Sequence, residues 1–141
     1  VEFRLGDIEN MPVSDNLANV IISNCVLNLV PDKEKAFKEI FRILKPGGHL
    51  SVSDVVLRGA LHEKIQQAAE MYAGCVSGAI DINLYLAMMK ESGLVSIKVQ
   101  KDKMITIPDD TLLNYLDQTE LEKFKKSGAG IFSITVYAEK P

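Results

Sequence analysis

Residues 33–57, KEKAFKEIFRILKPGGHLSVSDVVL, decide the fold class of this chain. The first half has the spacing of an amphipathic helix, whose apolar stripe is predicted to comprise Ala36, Phe37, Ile40, Phe41 and Leu44. The charged residues between them mark the solvent-facing side, namely Lys33, Glu34, Lys38, Glu39 and Arg42. Pro46-Gly47-Gly48 is expected to end the helix, because proline cannot continue it and glycine accepts a left-handed exit. Residues 49–57 then predict a strand.

The sequence on either side continues this alternation. Upstream, Val20-Ile21-Ile22 predicts a short strand covered on both faces, as in a parallel sheet, and the alternating Val1–Leu5 predicts another strand. Asp81 is expected to cap a helix that ends near Gly93. The remaining predicted elements are a helix at 61–73, a strand at 94–101, one or two helices at 109–126 and a strand at 131–138.

This order of elements predicts a three-layer α/β fold, with helices on both faces of a mostly parallel sheet. The final strand is expected to be antiparallel and inserted at one side. Since 141 residues fit one domain, we assign residues 1–141 to a single domain with a partial Rossmann-like sheet.

Composition excludes several functional classes. Hydrophobic residues make up 47% and charged residues 25%, and the net charge of −3 argues against a nucleic-acid partner. No apolar run reaches the ~20 residues of a membrane span. A signal-peptide pattern is also absent, and two cysteines are too few for a secreted disulfide framework, so we expect a cytoplasmic protein with reduced thiols.

The two cysteines are the candidate reactive residues. Cys25 follows the strand at 20–22, and ligands of open α/β sheets bind at the carboxyl ends of strands. Cys75 lies on a segment that can fold back over the same edge, and two soft thiolates there would hold one thiophilic ion. Two alternatives stay open: each cysteine serves as a small buried hydrophobe, or the two form a disulfide, which requires Cα atoms within about 7 Å.

Three motifs in order resemble class I S-adenosylmethionine-dependent methyltransferases. They are GDIENMP at 6–12, the strand ending at Cys25, and LKPGG at 44–48 before a strand. Two further segments, SNCVLNL at 23–29 and YAGCVSGA at 72–79, resemble the cysteine motifs of arsenite methyltransferases in particular. SDVV at 53–56 and SITV at 133–136 are similar to that family as well.

The resemblance implies a function and a set of site residues. Cys25 and Cys75 would bind arsenic(III), and a methyl group would pass to it from S-adenosylmethionine. Asp7 would accept a hydrogen bond from the adenine amino group, Ile8 would lie beside the ring, and Asn24 would meet the cofactor. From the residues alone, Asp7 in a Gly-Asp pair is equally a turn residue, and Asn24 equally a residue that holds its own loop.

Two elements of the class pattern are absent from residues 1–141: the glycine-rich loop after the first strand and the acidic residue that ends the second. The chain also lacks an initial Met, so we expect a C-terminal portion of a catalytic domain, with weak cofactor binding when isolated. Without the missing strands the strand at 20–22 becomes an apolar sheet edge, which predicts either a homodimer through that edge or docking of residues 1–5 against it.

The leading hypothesis is therefore methyl transfer to a thiol-bound metalloid. The alternatives are a small-molecule C- or O-methyltransferase of the quinone-biosynthesis type, which shares the Gly-Asp and Pro-Gly-Gly motifs, and a non-catalytic fragment.

Overall fold

A computed structural model describes all of residues 1–141. The strands are β1 (Ala18–Asn24), β2 (Leu44–Arg58), β3 (Val95–Met104) and β4 (Gly130–Glu139). The helices are α1 (Lys33–Ile43), α2 (Glu63–Tyr72), α3 (Ile82–Glu91), α4 (Asp109–Leu112) and α5 (Gln118–Ser127). Two short 3₁₀ turns, Leu27–Leu29 and Gly74–Gly78, complete the chain.

The four strands form one mixed sheet in the order β1-β2-β4-β3. β1 and β2 are parallel, and β4 runs antiparallel to both of its neighbours, β2 and β3. Three strands therefore point the same way, and the last strand of the sequence inserts between two of them. The α/β class and the antiparallel final strand are confirmed.

Helix α1 begins as its sequence predicts. The Asp32 side chain accepts a hydrogen bond from the Lys35 backbone N–H at 2.9 Å and so caps the helix. The helix ends at Ile43, before the Pro-Gly-Gly turn. The Pro-Gly-Gly turn is part of β2, at a point where the register of the β1–β2 pairing shifts between Ala18 and Val20. Gly47 in this turn has a φ of +79°. Only glycine adopts such a conformation without strain.

Two apolar cores lie on opposite faces of the sheet. The larger one packs α1 and α3 against β2 and β4, with the ring of Phe37 edge-on to that of Tyr85 at a centroid distance of 5.3 Å. The smaller one packs α2, α4 and α5 against the other face, around Val55 and Ile131. None of the helices combines the length and the apolar character needed to cross a membrane.

The predicted strand at Val1–Leu5 is wrong. These residues form no strand, and the side chains of Val1, Phe3 and Leu5 are almost entirely exposed. The following segment is instead fixed along α1, because the Met11 N–H donates to Glu39 and Arg42 donates to the Met11 and Val13 carbonyls. Residues 1–5 therefore lie away from the sheet, and the predicted docking of these residues against β1 does not occur.

The expectation that Val20-Ile21-Ile22 is covered on both faces is also wrong. Ile21 packs on the larger core, but Val20 is 49% exposed and Ile22 is 80% exposed on the opposite face. β1 has β2 as its one partner in the sheet, so its other edge is unpaired. Pairing with a second copy through this edge stays a prediction.

Replacing Ile22 with lysine tests the predicted dimer, because a charge on an edge strand opposes edge-to-edge pairing. We expect the parent chain to dimerise with rising concentration in sedimentation equilibrium, and Ile22→Lys to remain monomeric. Leu84→Lys is the matched control, since Leu84 is an exposed apolar residue of α3 remote from the edge. A parent chain that is monomeric throughout the concentration range contradicts the prediction.

Candidate functional site

Cys25 lies directly after β1, at the carboxyl end of the parallel strands. Its backbone N–H donates to the Ser53 carbonyl of β2 at 2.8 Å, which continues the pairing of the two strands by one residue. Its φ of +55° lies in the left-handed region that non-glycine residues seldom adopt. Such strain persists where the surrounding structure imposes it, and it is common at functional sites.

Cys75 lies in the 3₁₀ turn Gly74–Gly78 and is partly buried against the smaller core. This turn packs on the turn that follows Cys25. The closest approach is at Gly78, where an added Cβ would lie 1.6 Å from the carbonyl oxygen of Asn28. The turn that carries Cys75 is therefore held directly against the turn that follows Cys25.

The structure places the two predicted thiols on neighbouring segments, whose turns are in contact at Gly78 and Asn28. Both cysteines are free. Cys25 is exposed as a whole residue, yet burial of its sulfur raises the pKa of the thiol, and the neighbouring Cys75 thiol and the Asp54 carboxylate raise that pKa further. The thiol of Cys25 is thus held in its neutral form at pH values where an ordinary cysteine begins to ionise.

Asn28 was not predicted as a site residue, although it lies in the segment quoted for the resemblance. It is 1% exposed, and its amide makes two hydrogen bonds to the backbone of Val55: Nδ2 donates to the carbonyl at 2.6 Å, and Oδ1 accepts from the N–H at 2.8 Å. Since β1 has already ended, the Asn28 side chain takes the place of a strand partner for Val55. A polar residue five positions before the amphipathic helix gave no signal of this role.

Lys33 was expected on the solvent-facing side of α1, and this is wrong. It is 8% exposed, and its ammonium donates to the carbonyls of Asn28 at 3.1 Å and Val30 at 3.0 Å. Burial lowers the pKa of Lys33, and the Asp54 carboxylate partly opposes this. The first turn of α1 bends towards the loop after β1, which the helical spacing alone does not reveal.

Asp54 lies in β2, and its side chain is bonded to Tyr85 of the larger core. It is 1% exposed, and its Oδ2 accepts a hydrogen bond from the Tyr85 hydroxyl at 2.6 Å, whereas its Oδ1 has no partner. Burial raises the pKa of Asp54, and the hydrogen bond from Tyr85 opposes that rise. Burial and the Asp54 charge also raise the pKa of Tyr85, so Tyr85 remains a hydrogen-bond donor.

The three predicted cofactor residues lie near the same end of the sheet. Asp7 forms a turn in which its Oδ1 accepts the Glu9 N–H at 2.9 Å, and Glu9 accepts the Asp32 N–H at the start of α1, also at 2.9 Å. Ile8 packs partly on the larger core, and Asn24 is exposed at the end of β1. Asp7 therefore acts as a turn residue, and its second carboxylate oxygen is free to accept another donor.

The candidate site lies at the carboxyl end of the parallel strands and is open to solvent. A surface cavity of about 370 Å³ lies beside the contact between the two turns, lined among others by Asn28, Lys33, Ser77 and Gly78. No group of three or more His, Cys, Asp and Glu side chains is placed to hold a metal ion.

The raised pKa of Cys25 has a measurable consequence. The thiolate reacts with iodoacetamide, so we expect the alkylation rate of Cys25 to rise with pH around a midpoint above that of an ordinary thiol. Cys75→Ser should lower this midpoint, because it removes the neighbouring thiol, but burial should keep it above the ordinary value. Ser77→Ala is the control, and an unchanged midpoint in Cys75→Ser would contradict the pairing of the thiols.

The fold and the position of the site indicate the class of protein to which the chain belongs. A parallel pair of strands carries polar and thiol side chains at its carboxyl ends, with helices on both faces, and this is the ligand-binding end of an open α/β sheet. A family model described as a methyltransferase domain matches residues 1–93, and the chain belongs to this family.

Relatives and solved structures agree with this assignment. The chain is 35% identical over its whole length to an arsenite methyltransferase of Halobacterium salinarum, and 35% identical over 82% of its length to one of Aquipseudomonas alcaligenes. It spans about a third of the length of these two curated relatives, 34% in each case. The crystal structure of an arsenic(III) S-adenosylmethionine methyltransferase from Chlamydomonas reinhardtii superposes with a TM-score of 0.71 at 27% identity, covering 96% of this chain and 42% of that one.

Proposed function

We propose that this chain is the acceptor-binding part of an S-adenosylmethionine-dependent methyltransferase whose acceptor is trivalent arsenic held by Cys25 and Cys75. The observation that supports the proposal is the contact between the turn that follows Cys25 and the turn that carries Cys75, with both cysteines free. The arsenite methyltransferases among the relatives support it. Paired thiols have no role in methyl transfer to carbon or oxygen, so they favour arsenic over a quinone-type acceptor.

The chemistry of capture suits neutral thiols. At each cysteine a sulfur–arsenic bond forms, one arsenic–oxygen bond breaks, and the thiol proton leaves with the hydroxide as water. Two such exchanges release two waters and leave arsenic with its lone pair. No separate base is required, so the raised pKa of Cys25 does not prevent the reaction. Soft sulfur ligands also select arsenic over hard, oxygen-preferring ions.

The residues near the site fit one part of S-adenosylmethionine. Asp7 offers a carboxylate oxygen for an amino group, Ile8 an apolar side chain for a ring, and Asn24 an exposed amide that both donates and accepts. When bound, the cofactor supplies an electrophilic methyl group. The contribution of this chain is to hold the acceptor in a fixed place near it, and such positioning supplies much of the rate of a group transfer.

Capture is tested by mass spectrometry of the reduced chain mixed with arsenite. We expect one arsenic per chain and protection of both cysteines from iodoacetamide. Alkylation of either cysteine at its original rate in the arsenic-bound chain would overturn the proposal.

Calorimetry with S-adenosylmethionine is expected to show weak or undetectable binding to residues 1–141, because Asp7, Ile8 and Asn24 hold one part of the cofactor. Micromolar affinity would contradict this expectation.

A further inference from the structure

We infer that the contact between Gly78 and Asn28 sets the separation of the two thiols, so that Gly78 is a positioning residue for a ligand that bridges Cys25 and Cys75. This inference rests on the proposed function, because it concerns the same pair of thiols. It assigns a role to Gly78, a residue of the 72–79 segment that the sequence analysis did not name as a site residue.

Asn28 is held rigidly against β2. Its amide is fixed to both backbone groups of Val55 in the central strand β2, and its carbonyl accepts the buried ammonium of Lys33. Asn28 lies three residues after Cys25, whose own N–H is bonded to Ser53 of the same strand. The turn that follows Cys25 is thus anchored at both ends to β2.

The turn that carries Cys75 lies very close to the backbone of Asn28. At Gly78 an added Cβ would lie 1.6 Å from the Asn28 carbonyl oxygen and 2.7 Å from its carbonyl carbon. Both atoms belong to the backbone and cannot rotate away. Gly78 does not have a positive φ, so its backbone conformation alone would tolerate alanine. The absence of a side chain is therefore required by the contact, which lies three positions after Cys75.

A side chain at Gly78 must push the Cys75 turn away from the anchored Cys25 turn. The ability of each thiol to react alone should survive, since neither cysteine is changed. The ability of the two thiols to bind one atom together should not. Gly74 provides a matched control within the same 3₁₀ turn, because a Cβ added there meets nothing within 4 Å.

The test compares Gly78→Ala with Gly74→Ala, using phenylarsine oxide, which bridges two thiols, and iodoacetamide, which modifies one. We expect Gly78→Ala to bind phenylarsine oxide about tenfold or more weakly than the parent, because the second thiol loses its effective concentration. Its circular dichroism should match the parent, and its cysteines should react with iodoacetamide at least as fast, because a more distant Cys75 thiol raises the pKa of Cys25 less. Gly74→Ala should match the parent throughout.

Equal affinity in Gly78→Ala and the parent would overturn the inference while leaving the proposed function intact. A parent chain that fails to bridge phenylarsine oxide would instead overturn the proposed function. If Gly78→Ala does not fold, Lys33→Met carries the test, because it removes the two hydrogen bonds that hold the Asn28 and Val30 carbonyls and keeps the apolar stem. It should weaken bridging severalfold with alkylation no slower than in the parent, and parent-like bridging would overturn the inference.

Discussion

Replacing Cys75 with serine is expected to lower the affinity for arsenite by about 100-fold, because the second thiol binds an arsenic already held by the first, as an intramolecular ligand at high effective concentration. Cys25→Ser should cause a loss of similar size. The double variant should be little worse than either single variant, since one remaining thiol contributes little alone. Equilibrium dialysis against arsenite, with the bound arsenic quantified by atomic absorption, measures the affinity of the parent and of all three variants on the folded chain.

Ser77→Ala is the control for this series. Ser77 lies two residues after Cys75, and its hydroxyl donates to the Gly74 carbonyl within the same turn, so its loss perturbs the turn without removing sulfur. We expect near-parent affinity in this variant. An affinity in Cys75→Ser equal to that of the parent would show that Cys25 acts without Cys75.

Replacing Asn28 with alanine is expected to destabilise the chain by about 3 kcal/mol, since each buried backbone group left without a partner costs about 1–3 kcal/mol. Two such groups, the N–H and the carbonyl of Val55, lose their partners at once. They lie on the side of β2 where β1 has already ended, so no strand replaces the amide. Urea unfolding followed by circular dichroism measures the change.

Asn83→Ala provides the comparison, because Asn83 is exposed in the first turn of α3 and its side chain makes no hydrogen bond in the structure. Alanine favours a helix over asparagine, so this variant should be unchanged or slightly more stable. A loss below about 1 kcal/mol in Asn28→Ala would mean that water replaces the amide at Val55.

Local patterns predicted most of the regular structure. The apolar stripe predicted α1, and the Asp81 cap predicted α3, because caps and periodicity depend on residues a few positions apart. The two wrong predictions about strands have one physical cause. Val1–Leu5 and Val20–Ile22 carry strand patterns, but pairing and coverage require a neighbour, and the sequence pattern of one segment does not specify whether that neighbour exists.

The residues of the candidate site also form two groups, those that the sequence predicted and those that only the structure revealed. Cys25 and Cys75 were predicted from residue type and position, and Asp7, Ile8 and Asn24 from the resemblance. The structure places all five near one end of the sheet, and their roles stay predictions. The roles of Asn28, Lys33 and Gly78 were not identified. Each role arises from a contact with a distant backbone group, and residue type gives little indication of such contacts.

The sequence by itself determined the α/β class, most helix boundaries and the two thiols as the reactive candidates, because these follow from short-range periodicity, capping and the chemistry of sulfur. Only the tertiary structure decided that the two thiols are neighbours and that Lys33 is buried. The physical reason is that an amide completing the edge of β2, and a glycine narrow enough to lie against it, fix the distance between segments fifty positions apart.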